Sequence, residues 1–343
     1  MTISAFPRFP TEDAEQLMQL INFMMCGFLA LIFSATVEAQ LTQQQKEAKI
    51  KGLELYNQYK AISATPFLQI AANADDKESQ YYLGEAIRKN KRYMTEDAQK
   101  WYEAAANQNN IYAMIQLGRS GNDLCTAMDN CPKSKNTPAQ WLKSALDLTA
   151  PAAEHGNPEA MYLMYELTLK QEWLEKSANS GYALAQYWMA TGTRQGDGFF
   201  LPWKRNEAVG NWLKLSAEGG YPPAMMEYAA FIFEDKGDLA VARHWISEAA
   251  NAGYQSGISS YGAYLAHSPS LYDFPLDLVK GYALTSLLKD LDGGGDVQVY
   301  VNETLPEIAS KMKPEQISEA TEFAKKWKAT HPPLSFFPEK LSR

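Results

Sequence analysis

Residues 173–185 read Trp173-Leu-Glu-Lys-Ser-Ala-Asn-Ser-Gly-Tyr-Ala-Leu-Ala185. The pattern returns as Trp212-Leu-Lys-Leu-Ser-Ala-Glu-Gly-Gly-Tyr-Pro-Pro-Ala224 and as Trp245-Ile-Ser-Glu-Ala-Ala-Asn-Ala-Gly-Tyr254. Working outward from these, aromatic anchors recur at Phe67, Trp101, Trp141, Trp173, Trp212 and Trp245, spaced by 34, 40, 32, 39 and 33 residues. Small residues follow each anchor: Ala71-Ala72, Ala105-Ala106, Ala145, Ser177-Ala178, Ser216-Ala217 and Ala249-Ala250. Eight positions after the anchor stand Gly181, Gly220 and Gly253, with Asp75 and Asn109 in the earlier units. In the third unit seven extra residues intervene before His155-Gly156. Gly and Asn tolerate the left-handed exit of a helix, so these positions predict helix stops.

Four residues beyond the stop comes a second small residue (Ser79, Ala113, Ala160, Ala185, Ala224, Gly257), and four further a larger apolar one (Leu83, Leu117, Met164, Met189, Tyr228, Tyr261). Spacings of four on both sides of a stop describe two amphipathic helices joined by a tight turn. A hairpin repeated at this period buries its apolar face only against its neighbours. The expected fold class is therefore all-α: a right-handed α/α solenoid of about six to seven helical-hairpin repeats with a C-terminal capping helix. A degraded seventh unit fits Thr285, Gly293, Val297 and Val301, a final helix fits 314–329, and the tail Pro332-Pro333-Leu334-Ser335-Phe336-Phe337-Pro338 is expected to pack as an end cap. The aromatic stripe could also be a ladder for stacking sugars or a cofactor. Its phase with the helix stops favours core packing.

The three quoted segments resemble Sel-like repeats, a family related to the tetratricopeptide repeats. The resemblance is specific over 98–264, with 40–97 read as N-terminal helices and a weak first repeat, and 265–343 as a degraded repeat, capping helix and tail. The family's Gly after the Leu of its first helix is matched by Gly84 and Gly118, whereas Tyr165, Ala190 and Ala229 replace it in the central units. The departure bears on helix–helix distance. Exported members of the family include immunity proteins against phospholipase toxins of the type VI secretion system, and also envelope scaffolds and host-interaction factors. The resemblance thus implies a non-enzymatic protein-binding solenoid in the bacterial envelope, either an immunity protein bound to a secreted toxin or a scaffold for envelope proteins.

Residues 1–39 stand apart. No charged side chain occurs from Gln16 to Val37, and Val37 and Ala39 sit where a signal peptidase would read before Gln40. The alternative is an uncleaved inner-membrane helix, the one membrane contact expected of this chain. Export agrees with the pair Cys125 and Cys131, expected to form a short-loop disulfide contributing roughly 2 kcal/mol in an oxidising compartment. Two thiols kept reduced in a cytosol are the other reading. Together they predict a periplasmic protein.

The 343 residues are 46% hydrophobic and 21% charged, enough to build a sizeable core. With 32 basic against 40 acidic residues the formal charge is −8, and no basic run interleaved with aromatics occurs, which argues against a nucleic-acid partner. His155, His244, His267 and His331 are isolated from one another and from Cys, so no metal or other cofactor is expected. The run Asp292-Gly293-Gly294-Gly295-Asp296 lacks the spacing of a calcium loop and reads as a turn. No nucleophile elbow occurs and no catalytic residue is assigned. The irregular stretch Thr191–Arg205 supplies the candidate binding residues Phe199, Phe200, Trp203 and Arg205, because large aromatics and Arg at a loop edge are common protein-binding anchors. Folding back over an inter-helix gap is the alternative role for the same aromatics.

Overall fold

The computed structural model describes residues 41–198, 201–291 and 295–341. The expected leader over 1–39, the candidate residues Phe199 and Phe200, and Gly293 of the seventh unit lie outside the described residues. Seventeen α-helices and no strand occur among the described residues. The first is α1 (Gln43–Asn57), opened by a capping box at Thr42. Six hairpins follow: α2 (Ala61–Ala72) with α3 (Lys77–Lys91), α4 (Glu96–Asn107) with α5 (Ile111–Gly118), and, past the single-turn α6 (Leu124–Ala127), α7 (Pro138–Glu154) with α8 (Pro158–Thr168). The series continues with α9 (Gln171–Asn179) and α10 (Ala183–Gln195), α11 (Pro202–Glu218) and α12 (Pro222–Glu234), α13 (Leu239–Asn251) and α14 (Gln255–Leu265). A seventh pair, α15 (Leu278–Leu287) and α16 (Gly295–Ala309), precedes α17 (Pro314–Thr330).

The six predicted stops all adopt the left-handed conformation: Asp75, Asn109, Gly156, Gly181, Gly220 and Gly253 have φ of 61, 61, 92, 89, 85 and 78°. Each is followed by the same closing bond, in which the next amide donates five residues back. Asp76, Asn110, Asn157, Tyr182, Tyr221 and Tyr254 donate to the carbonyls of Ala71, Ala105, Ala152, Ser177, Ser216 and Ala249 at 3.0 to 3.3 Å. That 6→1 bond satisfies a carbonyl the helix end would otherwise leave unpaired.

The small residues in phase with these stops are buried, among them Ala71, Ala105, Ala145, Ala185, Ala217, Ala224 and Ala249. Close approach is what they allow. A Cβ on Gly84 would stand 3.0 Å from the Tyr102 ring, so the glycine lets α3 press on α4. Where the central units carry Ala190 and Ala229 instead, those methyl groups are themselves buried. The anchors pack as expected only in part. Trp141 is buried, Trp101, Trp173, Trp212 and Trp245 are half-buried against their clusters, and Phe67 is exposed. In the first hairpin α1 covers the face bearing Ala64 and Leu68, with Gly52 lying on Leu68, and Phe67 is left on the solvent side.

The seventh pair buries Leu284 and Val301 in the last core cluster, and Thr285 is buried as well. Helix α17 covers that cluster with Ala320, Ala324 and Trp327, as a capping helix should. Two expectations need correction. The stretch 191–205 is mostly helical: α10 continues through Gln195 and α11 starts at Pro202, a residue suited to the first helical position, so among its described residues only 196–198 and Leu201 lie outside a helix. The tail caps the end of the array only at its start, where Leu334 is buried in the last core cluster and Phe336 packs against it. It leaves α17 and runs back to the first hairpins.

Candidate functional site

The tips of the hairpins converge on the segment His331–Leu341. Ser335 lies parallel to Tyr254 in an isolated β-bridge: its amide donates to Gly253 and its carbonyl accepts from Gln255, both at 2.9 Å. One residue on, the Phe336 amide donates to the Asn57 carbonyl at 2.9 Å, and Gln58 Nε2 donates to the Leu334 carbonyl at 3.2 Å. The turn after α13 and the turn after α1, about two hundred residues apart in sequence, are thus joined through two consecutive tail residues. Phe336 stacks on Tyr59 with centroids 4.7 Å apart, and Phe337 meets Tyr254 edge-on at 5.9 Å. Such ring pairs add about 0.5–1.5 kcal/mol beyond the area they bury. Farther along, the Tyr81 hydroxyl donates to the Lys340 carbonyl, Lys340 Nζ reaches Glu159 at 3.0 Å and lies 4.8 Å from the Tyr112 ring centre, and Leu341 is buried among Tyr81, Tyr102 and Ala106.

The wall of this groove is built from a trade at the helix starts. In the first three hairpins the residue after the stop caps the second helix: Asp76, Asn110 and Asn157 accept from the amides of Ser79, Ala113 and Ala160 at 2.7, 3.0 and 2.8 Å. In the next three, Tyr182, Tyr221 and Tyr254 occupy the cap position and make no side-chain cap. A lost cap costs about 0.5–2 kcal/mol. What replaces it is aromatic surface. Tyr182 and Tyr221 line, with Tyr112, Tyr162 and the tail residues Phe337 to Leu341, a cleft of about 370 Å³. Burial, then the carboxylates of Glu159 and Glu339, push the Tyr182 phenol up to about 12, and burial with the nearby Glu339 also raises Tyr221. Both rings are therefore neutral hydrogen-bonding phenols across the physiological range.

Glu159 is the polar anchor of the tail's far end. Burial acts to raise its pKa, but the hydrogen bonds from Tyr112 and Lys340, with the Lys340 charge, prevail and hold it below the ordinary glutamate value. A folded-state pKa below the unfolded one means the contribution is present above the unfolded value, near 4.3, and is lost as pH falls through the folded one. Glu159→Gln is accordingly expected to melt below the unaltered chain at neutral pH, by under about 1 kcal/mol because the carboxylate is only half-buried. The gap should narrow as the pH falls below the unfolded value and through the lower folded one. A gap that is constant from pH 7 to pH 3 in paired thermal melts would exclude this anchor.

Of the candidate residues from the sequence, Trp203 is 66% exposed at the start of α11. Arg205 lines a separate cleft of about 540 Å³ with Arg194, Glu227, Phe231 and Glu234, where Arg194 pairs with Glu227 at 2.8 Å. Trp203 and Arg205 are not brought together in one pocket. The Cys125 and Cys131 sulfurs are bonded at 2.00 Å, and Asp123 at the foot of that loop accepts from Arg88 at 2.9 Å and from the Met94 amide at 2.7 Å. His155, His267 and His331 bond nearby carbonyls, and His331 also stacks on Trp327 at 3.7 Å. No group of three potential metal ligands occurs among the described residues, and no helix among them is long and apolar enough to cross a membrane. The groove itself was not foreseen. Its one sequence signal was the recurrence of Tyr directly after Gly181, Gly220 and Gly253.

No known family profile and no curated protein matches the chain. Among solved structures it is similar to a protective antigen with an SLR fold from uropathogenic Escherichia coli, at 18% identity over 84% of this chain and 79% of the other, with a TM-score of 0.33. It is also similar to a Sel1 repeat protein from Oxalobacter formigenes, at 21% identity over 65% of this chain and 92% of the other, with a TM-score of 0.36.

Proposed function

We propose that this chain is a non-enzymatic protein-binding solenoid that seats its partner where the hairpin tips converge. The observation that carries the reading is the groove: aromatic side chains from several repeats face it at positions where caps would have served stability better, and it already holds an extended peptide. Aromatic rings offer large contact area at small entropic cost, which is why they dominate binding hot spots.

The specific form of the proposal follows the resemblance to Sel-like repeat proteins: a periplasmic immunity protein that neutralises a secreted phospholipase-type toxin. Its alternative is a periplasmic scaffold for envelope proteins. Capture by the tagged chain from its own host, with mass spectrometry of what is held, separates the two. A one-to-one complex with a secreted lipase supports immunity, whereas cell-wall or membrane-assembly proteins make it a scaffold. With the captured partner in hand, Tyr182→Ala with Tyr221→Ala is expected to weaken binding about a hundredfold. Replacing Phe199, Phe200 and Trp203 with Ala should leave it unchanged. The reverse result would move the seat to the α10–α11 edge.

A further inference from the structure

We infer that the segment 332–341 is a built-in occupant of the binding groove, and that a partner's extended segment of the same chemistry replaces it: an aromatic pair, a proline, a basic residue and a terminal aliphatic. This rests on the protein-binding reading above and states what the groove recognises.

Three observations separate an exchangeable occupant from a permanent staple. The first is how the segment is held. Its bonds fall mainly on the backbone: the Ser335 amide and carbonyl, the Phe336 amide, and the Leu334 and Lys340 carbonyls. Main-chain pairing of an extended segment, with side chains entering pockets at intervals, is how sheet edges take foreign peptides, and any chain able to extend can supply it. The side chains that add selectivity are spaced along it: Leu334 in the last core cluster, Phe336 on Tyr59, Phe337 on Tyr254, Lys340 on Glu159 and Tyr112, and Leu341 in its apolar pocket.

The second is where the segment sits in the chain. It follows α17 and belongs to no helix itself. Releasing it would open none of the first six hairpin turns, because each closes on its own backbone bond. Phe336, Phe337, Pro338 and Glu339 keep part of their surface in solvent and Lys340 is exposed, the profile of a segment that opens locally well below the global unfolding free energy. The third is room. The cleft of about 370 Å³ lies alongside Phe337 to Leu341, so an incoming segment can engage Tyr182 and Tyr221 before the resident one has left. A groove filled in this way binds a partner more weakly by the fraction of time it stands open.

The test uses the full chain and a fluorescent peptide with the sequence of 332–341. Titration into the unaltered chain should give weak binding. The double variant Phe336→Ala, Lys340→Ala, altered only in its own tail, should bind the peptide at least about tenfold more tightly. Adding Tyr59→Ala and Glu159→Gln should remove that gain. Equal affinity for both chains, or no binding to either while helical content is intact, overturns the inference and makes the tail a staple. Peptide binding that appears only with a dimer in light scattering also overturns it, because the occupant is then a second copy's tail. Should the double variant unfold, hydrogen exchange on the unaltered chain decides. The Ser335 and Phe336 amides are expected to exchange about a hundredfold faster than those of Ala324 and Trp327; equal rates mean the segment opens only with the fold. The partner experiment stays independent: a tail that proves permanent leaves the effect of Tyr182→Ala and Tyr221→Ala on partner capture untouched.

Discussion

Replacing Glu85 with alanine is expected to lower the unfolding free energy by about 3–5 kcal/mol, the largest effect of any single polar substitution proposed for this chain. Glu85 is completely buried on α3. Its carboxylate accepts from Tyr102 Oη at 2.7 Å, Gln116 Nε2 at 2.7 Å and Tyr56 Oη at 3.2 Å, and Lys89 stands 4.0 Å away. These donors come from α1, α4 and α5, so one side chain ties together four helices of the first hairpins. Burial, with the nearby Glu85 charge, raises the Tyr56 and Tyr102 phenols well above their ordinary value, so both remain donors. Alanine would leave the buried Tyr56 and Tyr102 hydroxyls facing a void, and each unsatisfied group costs about 1–3 kcal/mol. Glutamine keeps the volume and one acceptor oxygen and should cost less than half as much. For a chain of this size, Glu85→Ala should lower the melting temperature by roughly 10 °C. A shift of under about 2 °C would show that the network contributes nothing net. The paired change Glu85→Ala, Tyr102→Phe should be milder than the sum of its parts, since it removes one orphaned donor along with the acceptor.

This hub was not legible in the sequence, and the reason is physical. Glu85 is one acid among forty, and its neighbours in the network lie 17 to 31 residues away in no repeating relation. The hairpins could be read because their physics is local: a left-handed turn needs Gly, Asn or Asp, and a close crossing needs Ala or Gly, at fixed offsets within one unit. The period therefore revealed all six stops, the small-residue faces and the seventh pair. It overstated the loop at 191–205, where Gly and aromatic residues mark a helix end and a helix start in addition to a short connection. The tail was read in part, as the cover of the last cluster through Leu334, and its course beyond was missed for the same reason as the hub. Pro332-Pro333 excludes a helix, but nothing in Leu334-Ser335-Phe336-Phe337 tells which turns, some 80 and 280 residues earlier, will face it. Tyr182, Tyr221 and Tyr254 were visible as part of the repeat. Their outlook onto a shared groove depends on how successive hairpins stack.

Gly253 and Gly181 offer an internal comparison that measures how much the tail contributes to stability. Both end a first helix in the left-handed region, at φ of 78 and 89°, and both are followed by a closing Tyr amide bond. A Cβ in that conformation costs about 1–2 kcal/mol at either site. The surroundings differ. At Gly181 an added Cβ would meet open space, whereas at Gly253 it would fall 2.7 Å from the Pro333 carbonyl oxygen and 3.0 Å from that of Pro332. Backbone oxygens cannot swing aside as a flexible side-chain end can, so the tail itself must retreat from the turn. Retreat breaks the two Ser335 bonds and strains the Phe336 contacts that follow directly, each hydrogen bond being worth about 0.5–1.5 kcal/mol. Gly181→Ala should therefore destabilise by about 1–2 kcal/mol and Gly253→Ala by about 2–4. The difference, read by urea unfolding of the two variants, is the contribution of the docked segment at this turn. If Gly253→Ala also binds the 332–341 peptide more tightly than Gly181→Ala does, the same retreat that lowers stability is what opens the groove. Equal destabilisation by the two substitutions would mean that the tail yields at no cost, and that the bridge at Ser335 holds nothing in place.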